Sequence, residues 1–164
     1  GYVNSSHQGL TISENYATGS VEGDQYIGGF LGVQWHSHED VRFIDNYALV
    51  DVKGGSYLGG FAGRCSQNSG RYYFIGKIEE RVEGAARMGG ICSEVRTNDT
   101  KTFPGLETNY WDINVSGVNV TDEGMGVSLS SQQMREQTKF DEFDFTSIWT
   151  IEPGKTPHLR WEDE

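Results

Sequence analysis

One phrase of this sequence occurs twice. Asn15-Tyr16-Ala17-Thr18-Gly19-Ser20-Val21, followed by Tyr26-Ile27-Gly28-Gly29-Phe30-Leu31-Gly32, returns as Asn46-Tyr47-Ala48-Leu49-Val50-Asp51-Val52, followed by Tyr57-Leu58-Gly59-Gly60-Phe61-Ala62-Gly63. Self-similarity at a spacing of roughly thirty residues restricts the fold more than composition does, because such units cannot bury their apolar faces alone and must stack. A degenerate third copy runs Tyr73-Phe74-Ile75-Gly76-Lys77-Ile78-Glu79 and, after an insertion, Arg87-Met88-Gly89-Gly90-Ile91-Cys92-Ser93. A fourth begins at Asn109-Tyr110-Trp111-Asp112-Ile113-Asn114-Val115.

Side chains alternate faces along a strand, so the copies can be aligned column by column. Ala17, Gly19 and Val21 match Ala48, Val50 and Val52, then Phe74, Gly76 and Ile78, then Trp111, Ile113 and Val115. That face is apolar or small in each copy and is expected to point inward, with Val21, Val52, Ile78 and Val115 as one interior file. The opposite face carries Tyr16, Tyr47, Tyr73 and Tyr110; then Ser20, Asp51, Lys77 and Asn114; then Glu22, Lys53 and Glu79. The last column alternates in sign where neighbouring strands would meet, an arrangement that contributes about 0.2–1 kcal/mol per pair and favours this register. Burial of the apolar columns contributes more, about 1.5–3 kcal/mol for each large side chain.

The second strand of each copy is apolar on both faces, as for a strand wedged between two layers. Its Gly-Gly pairs at 28, 59 and 89 mark tight backbone approach or a bend. Segments 33–45, 64–71 and 94–108 differ between copies, and variable loops on a regular scaffold are where recognition usually resides. Beyond Gly117 the repeat stops. Ser130 and Gln133 form a capping-box pattern that predicts a short helix over 131–137, and Pro153-Gly154-Lys155 signals a turn before Leu159-Arg160-Trp161. The expected fold is all-β, a β-solenoid (β-helix-like) of about four rungs of roughly thirty residues, with a short C-terminal helix and hairpin cap. Residues 1–116 hold the repeats, and 117–164 form a capping segment of the same domain.

Twenty-two glycines against three prolines and a formal charge of −11 suit this class. The charge argues against sequence-independent nucleic-acid binding, which requires clustered cations, and against anionic lipid surfaces. No apolar stretch reaches the length of a membrane span. The opening Gly1-Tyr2-Val3-Asn4 does not read as a signal peptide, and the chain reads as part of a longer polypeptide. Cys65 and Cys92 sit three positions apart in the aligned columns. That is about 10 Å along a straight strand, which favours two buried thiols unless a corner brings them within bridging distance.

These words resemble the GLUG repeats of bacterial surface and secreted polypeptides, including regions of the immunoglobulin A1-specific metallopeptidases. The matching residues are Asn15 to Val21, Ile27 to Gly32, Asn109-Tyr110-Trp111-Asp112, Ser116-Gly117 and the ending Phe140 to Trp161. The third copy departs from the pattern at Arg87-Met88 and in its insertion. The resemblance implies an extracellular or cell-surface module, non-enzymatic, serving adhesion, ligand recognition or spacing within a larger bacterial protein, with a host or matrix glycan or protein surface as partner. No His-Glu-x-x-His is present, so peptidase chemistry is not carried over. The alternative is a carbohydrate-active β-helix enzyme or its sugar-binding accessory module.

Three constellations are chemically suggestive. Asp112, Asn114, Ser116 and Glu123 stand at positions 1, 3, 5 and 12 of a calcium-loop pattern with Gly117 at 6, although Val120 offers no oxygen at position 9 and no flanking helices are expected. No cofactor is otherwise expected; calcium at this loop is the one exception the pattern suggests. Trp35, His36 and His38 lie in one loop, with an aromatic platform for a sugar and two imidazoles on one side of an extended segment; a third zinc ligand is missing. Asp51, Lys53, Lys77 and Glu79 gather on one outer face, where a self-paired, solvated charge ladder accounts for them without catalysis.

Overall fold

The computed structural model describes residues 2–3, 10–34, 41–65, 69–95, 106–119 and 126–164. In chain order the strands are β1 (Tyr2–Val3), β2 (Leu10–Ser13), β3 (Tyr16–Gly28), β4 (Leu31–Gln34), β5 (Val41–Gly59), β6 (Ala62–Cys65) and β7 (Ser69–Ile75). They continue as β8 (Ile78–Glu80), β9 (Met88–Gly89), β10 (Cys92–Val95), β11 (Tyr110–Asp112), β12 (Val127–Leu129), β13 (Trp149–Thr150) and β14 (His158–Leu159). An α-helical turn, α1, spans Ile113–Ser116, and 3-10 turns occupy Leu106–Thr108, Gln133–Arg135, Gln137–Lys139 and Arg160–Asp163.

The strands do not form the expected β-solenoid of about four rungs. They assemble into open sheets: a four-stranded parallel sheet in the order β1-β4-β6-β10, an eight-stranded parallel sheet along β12-β11-β7-β5-β2 with β3, β8 and β9 also paired to β5, and an antiparallel pair, β13 and β14. The physical reason lies where the copies diverge. β5 runs for 19 residues, whereas the third copy breaks at Gly76-Lys77 and again over 81–87 into β7, β8 and β9. The fourth copy leaves the sheet after Asp112, whose carboxylate accepts the Asn114 and Val115 N–H groups at 2.9 and 3.2 Å and caps α1, with Gly117 closing it at φ 74°. The interior file therefore stops early: Val52 and Ile78 are buried and Val21 partly so, but Val115 is 38% exposed.

Where the copies do pair, the register is position for position. Tyr16 opposes Tyr47, Val21 opposes Val52 and Glu22 opposes Lys53; Tyr47 then opposes Tyr73, and Tyr73 opposes Tyr110. Phe43, Val50, Val52, Leu58, Phe61, Phe74, Ile91 and Trp111 fill the main core. The Gly-Gly pairs are required by close approach. A Cβ at Gly59 would collide with the Ala62 carbonyl, at Gly60 with the Gly90 carbonyl and the Phe74 ring, and at Gly90 with the Trp111 indole.

Cys65 and Cys92 are joined by a disulfide, with Cα atoms 6.0 Å apart. The expectation of two separate thiols fails because, although Cys92 opposes Ala62 in the β6–β10 register, its Cα lies within bridging reach of Cys65 and not at the ~10 Å assumed along a straight strand.

A second core forms on the other side of the eight-stranded sheet. Tyr47, Tyr73 and Tyr110 were expected on an outward face; all are at most 3% exposed because the segment from Leu129 to Leu159 packs over them. Their rings form a ladder, Tyr16 on Tyr47 at 5.2 Å and Tyr47 on Tyr73 at 5.1 Å, with Trp161 stacked on Tyr16 at 5.7 Å and Phe140 edge-on to Tyr110. Every phenol under the cover has a partner. Tyr47 donates to Glu162 at 2.8 Å, Tyr73 donates to the Pro157 carbonyl, and the Tyr110 oxygen accepts the Asp141 N–H at 2.8 Å. The buried Asp45 carboxylate ties the same layers, accepting two hydrogen bonds from Arg71 at 2.9 Å each and one from the Trp149 indole at 3.2 Å. The expected helix over 131–137 is two 3-10 turns, although Ser130 and Gln133 do exchange the capping-box hydrogen bonds at 2.9 and 3.2 Å. Trp149 and Leu159 pair across the turn at Pro153-Gly154-Lys155.

Gly60→Ala is expected to lower stability by on the order of 3 kcal/mol, seen as a shift of the urea midpoint, because the added methyl meets backbone and a buried ring. A second expectation concerns alkali. Burial pushes the Tyr47 and Tyr73 phenols well above the ordinary value, with Glu162 adding to the effect at Tyr47, and it also raises that of Tyr110. The stability they contribute is fully present below pH about 10, the unfolded phenol value, and is lost as pH rises beyond it. Ionisation of all eight tyrosines should come only with loss of the near-ultraviolet dichroism; complete phenolate formation with intact dichroism would refute the buried ladder.

Candidate functional site

Alternation along β3, β5, β7 and β8 places charged side chains on an outward strip beside the covered tyrosines. Ser20 opposes Asp51, Glu22 opposes Lys53, and Lys53 opposes Glu79. Together with Lys77 they line a groove of about 310 Å³. A broader hollow of about 670 Å³ adjoins it, shares Glu22, Lys53 and Glu79, and adds Glu80, Arg81 and Met88.

Asp51 accepts the backbone N–H of Lys77 at 2.9 Å, bracing the point where the third copy breaks. Arg81 donates its backbone N–H to the Gly54 carbonyl at 2.8 Å, then reaches over the second copy to bond Glu22 at 3.2 Å and also Asp24 on the first. Gly54 and Gly55 have no side chains to obstruct that crossing. The Glu80 carboxylate accepts the N–H groups of Ala86 and Gly84, at 3.0 and 2.7 Å, which shapes the 81–87 turn and holds its carboxyl below the usual range. Sequence reading missed Arg81 because it lies in the insertion, where column alignment gives no position.

The groove can hold ions and hydrogen-bonding groups but has no assembled nucleophile. Ser20 has no hydrogen-bonded base among the described residues. Glu22 and Glu79 stand two strand spacings apart, about 10 Å between backbones, with Lys53 between them.

The other sequence candidates fall elsewhere. Trp35, His36 and His38 lie outside the described residues, as does Glu123. Asp112 is 3% exposed, and its carboxylate also accepts the Ser131 hydroxyl at 3.0 Å. The Asn114 side-chain oxygen accepts the Ser131 N–H at 2.9 Å, and the Ser116 hydroxyl accepts the Val118 N–H at 3.3 Å. These oxygens join α1 to the C-terminal segment. Among the described residues no group of three or more His, Cys, Asp or Glu side chains is placed to hold a metal ion, and no helix is long and apolar enough to cross a membrane.

A further surface feature is the half-buried stack of Tyr26 on Tyr57, 4.6 Å between centroids, with the Arg64 guanidinium 5.6 Å from the Tyr26 ring. Both tyrosines bend their strands at positive φ, 54° and 55°. Their shared repeat position was legible in Tyr26-Ile27 and Tyr57-Leu58. The chain matches no family model, no curated protein and no solved structure.

Arg81→Ala is expected to lower stability only slightly, and the loss should shrink as salt is raised, because the pairs it breaks are solvent-exposed. Urea titrations of both proteins at low and high salt check this; a large, salt-independent loss would mean that Arg81 is structural in another way.

Proposed function

We propose that this chain is a non-enzymatic module of the GLUG-repeat kind, acting in a secreted or cell-surface bacterial protein to display a binding surface for a host or matrix glycan or protein, or to space neighbouring parts of that protein. The observation that carries this reading is the use to which the charged strip is put. Asp51, Glu22, Asp24 and Arg81 are engaged with neighbouring strands, which suits a stiff scaffold better than a reaction centre. The Cys65–Cys92 disulfide agrees with an oxidising compartment. Recognition falls to the groove and to the segments at 33–45, 64–71 and 94–108, each of which includes residues outside those described.

A second reading, a sugar-binding accessory module of a carbohydrate-active enzyme, is favoured by the Tyr26–Tyr57 stack, since partly exposed rings offer flat apolar faces. A glycan array with Tyr57→Ala tests this second reading: loss of a glycan signal on this substitution assigns sugar binding to the stack, and an unchanged signal removes the reading. Incubation with neutral and acidic polysaccharides should release no new reducing ends. Turnover that disappears in Asp51→Ala or Lys77→Ala would overturn the non-enzymatic assignment.

A further inference from the structure

Tyr26 and Tyr57 hold the same place in successive copies. Gln25 opposes Ser56 and Ile27 opposes Leu58, so the tyrosines between them are neighbours across β3 and β5. Their rings stack with 4.6 Å between centroids and 18° between planes, a face-to-face contact. Both stand at positive φ, 54° and 55°, a conformation that bulky residues rarely adopt and that glycine takes freely. Two copies thus keep a phenol at a strained corner, although neither ring belongs to a hydrophobic core. Strain retained outside the core points to a use for the side chain itself.

Access separates this pair from the other stacked tyrosines. Tyr47 and Tyr73 stack at 5.1 Å but are at most 3% exposed, with their hydroxyls bound to Glu162 and the Pro157 carbonyl. Tyr16 is exposed, yet the tyrosine it stacks on is the covered Tyr47. Tyr26 and Tyr57 are each half-buried, so both members of one stack can be reached from solvent. Arg64, tied to Glu94 at 3.0 Å, sets its guanidinium 5.6 Å from the Tyr26 ring and steadies it against Tyr57. The Cys65–Cys92 disulfide agrees with an oxidising compartment, and it joins the second copy to the third.

We propose that Tyr26 and Tyr57 are an oxidative modification site, coupled into an intramolecular dityrosine that ties the first copy to the second as the disulfide ties the second to the third. The co-reactant is hydrogen peroxide acting through a haem peroxidase. One hydrogen atom leaves each phenol hydroxyl, the peroxide takes up both and becomes two waters, and the two phenoxyl radicals join through ring carbons adjacent to the carbon that bears oxygen. Each joined carbon then releases its hydrogen as a proton and each oxygen regains one. The product is two phenols linked by one carbon–carbon bond, two hydrogens lighter than the starting pair. The inference depends on neither reading of the function given above, since the reaction needs no glycan.

The test exposes the full chain, at high dilution, to peroxide and a haem peroxidase, and maps the product by digestion after thiol reduction and alkylation. The monomer should lose two hydrogens, gain dityrosine fluorescence and yield one linked peptide pair containing Tyr26 and Tyr57. Its urea midpoint should rise, because a cross-link between the two copies restricts the unfolded chain. Tyr26→Phe and Tyr57→Phe each keep a ring in the stack but remove an O–H, and either should abolish the fluorescence of the monomer, whereas Tyr16→Phe should leave it intact. The peptide map of the unaltered chain decides the matter even if a variant fails to fold. Absence of a linked pair, a link within the monomer mapped to other tyrosines, coupling only between molecules, an unchanged urea midpoint, or monomer fluorescence that persists in Tyr57→Phe would each overturn the proposal.

Discussion

The two sheets of this molecule meet at residues that have no side chain. At Gly59-Gly60 and Gly89-Gly90 the chain passes from the eight-stranded sheet to the four-stranded one, with the backbone of one strand lying where a Cβ would otherwise be. The Phe74 and Trp111 rings lie flat against these glycines, and the core containing Val50, Leu58, Phe61 and Ile91 forms because the two sheets can approach that far. A methyl group at any of these corners would separate the layers, and dispersion contacts decline steeply with separation. The packing between the two sheets depends on this approach.

Across the sheet the logic differs. The tyrosine ladder is flat, polar at its tips and stacked at near-ideal ring spacing, so it is satisfied only when a second layer offers both apolar edges and hydrogen-bond partners. The C-terminal segment does so with Phe140, Phe143 and Trp149 for the rings and with Glu162, the Pro157 carbonyl and the Asp141 N–H for the hydroxyls. Asp45 fastens the two layers from beneath, since its carboxylate serves Arg71 and Trp149 at once. The outward charges beside the ladder need no such cover and remain in water, which leaves them available to a ligand.

Columns that repeat with a two-residue period were legible in the sequence, because register is fixed by which side chains must face inward and which charges must oppose. Tyr16 against Tyr47 and Glu22 against Lys53 could be aligned without coordinates. The architecture could not, since the alignment treated four copies as equals. Asp112 ends the fourth by capping a helical turn, an effect of one side chain that periodicity does not register. The disulfide was obscured because a straight-strand distance was applied to two positions whose Cα atoms lie 6.0 Å apart. Of the candidate site, Asp51, Lys53, Lys77 and Glu79 were visible as columns, whereas Arg81 belongs to an insertion. The covering of the tyrosines was hidden because a half-polar ring is equally at home in water and beneath another layer.

The cover over the ladder comes from the last third of the described chain, and this orders events during synthesis. Ribosomes deliver residues from the amino end, so Tyr47, Tyr73 and Tyr110 emerge well before Trp149 and Leu159 do. Throughout that interval the nascent sheet presents a band of naked rings, the kind of surface that chaperones hold and that neighbouring nascent chains can adhere to. Synthesis of the segment from Leu129 to Leu159 is thus the step that takes these rings out of reach of other chains.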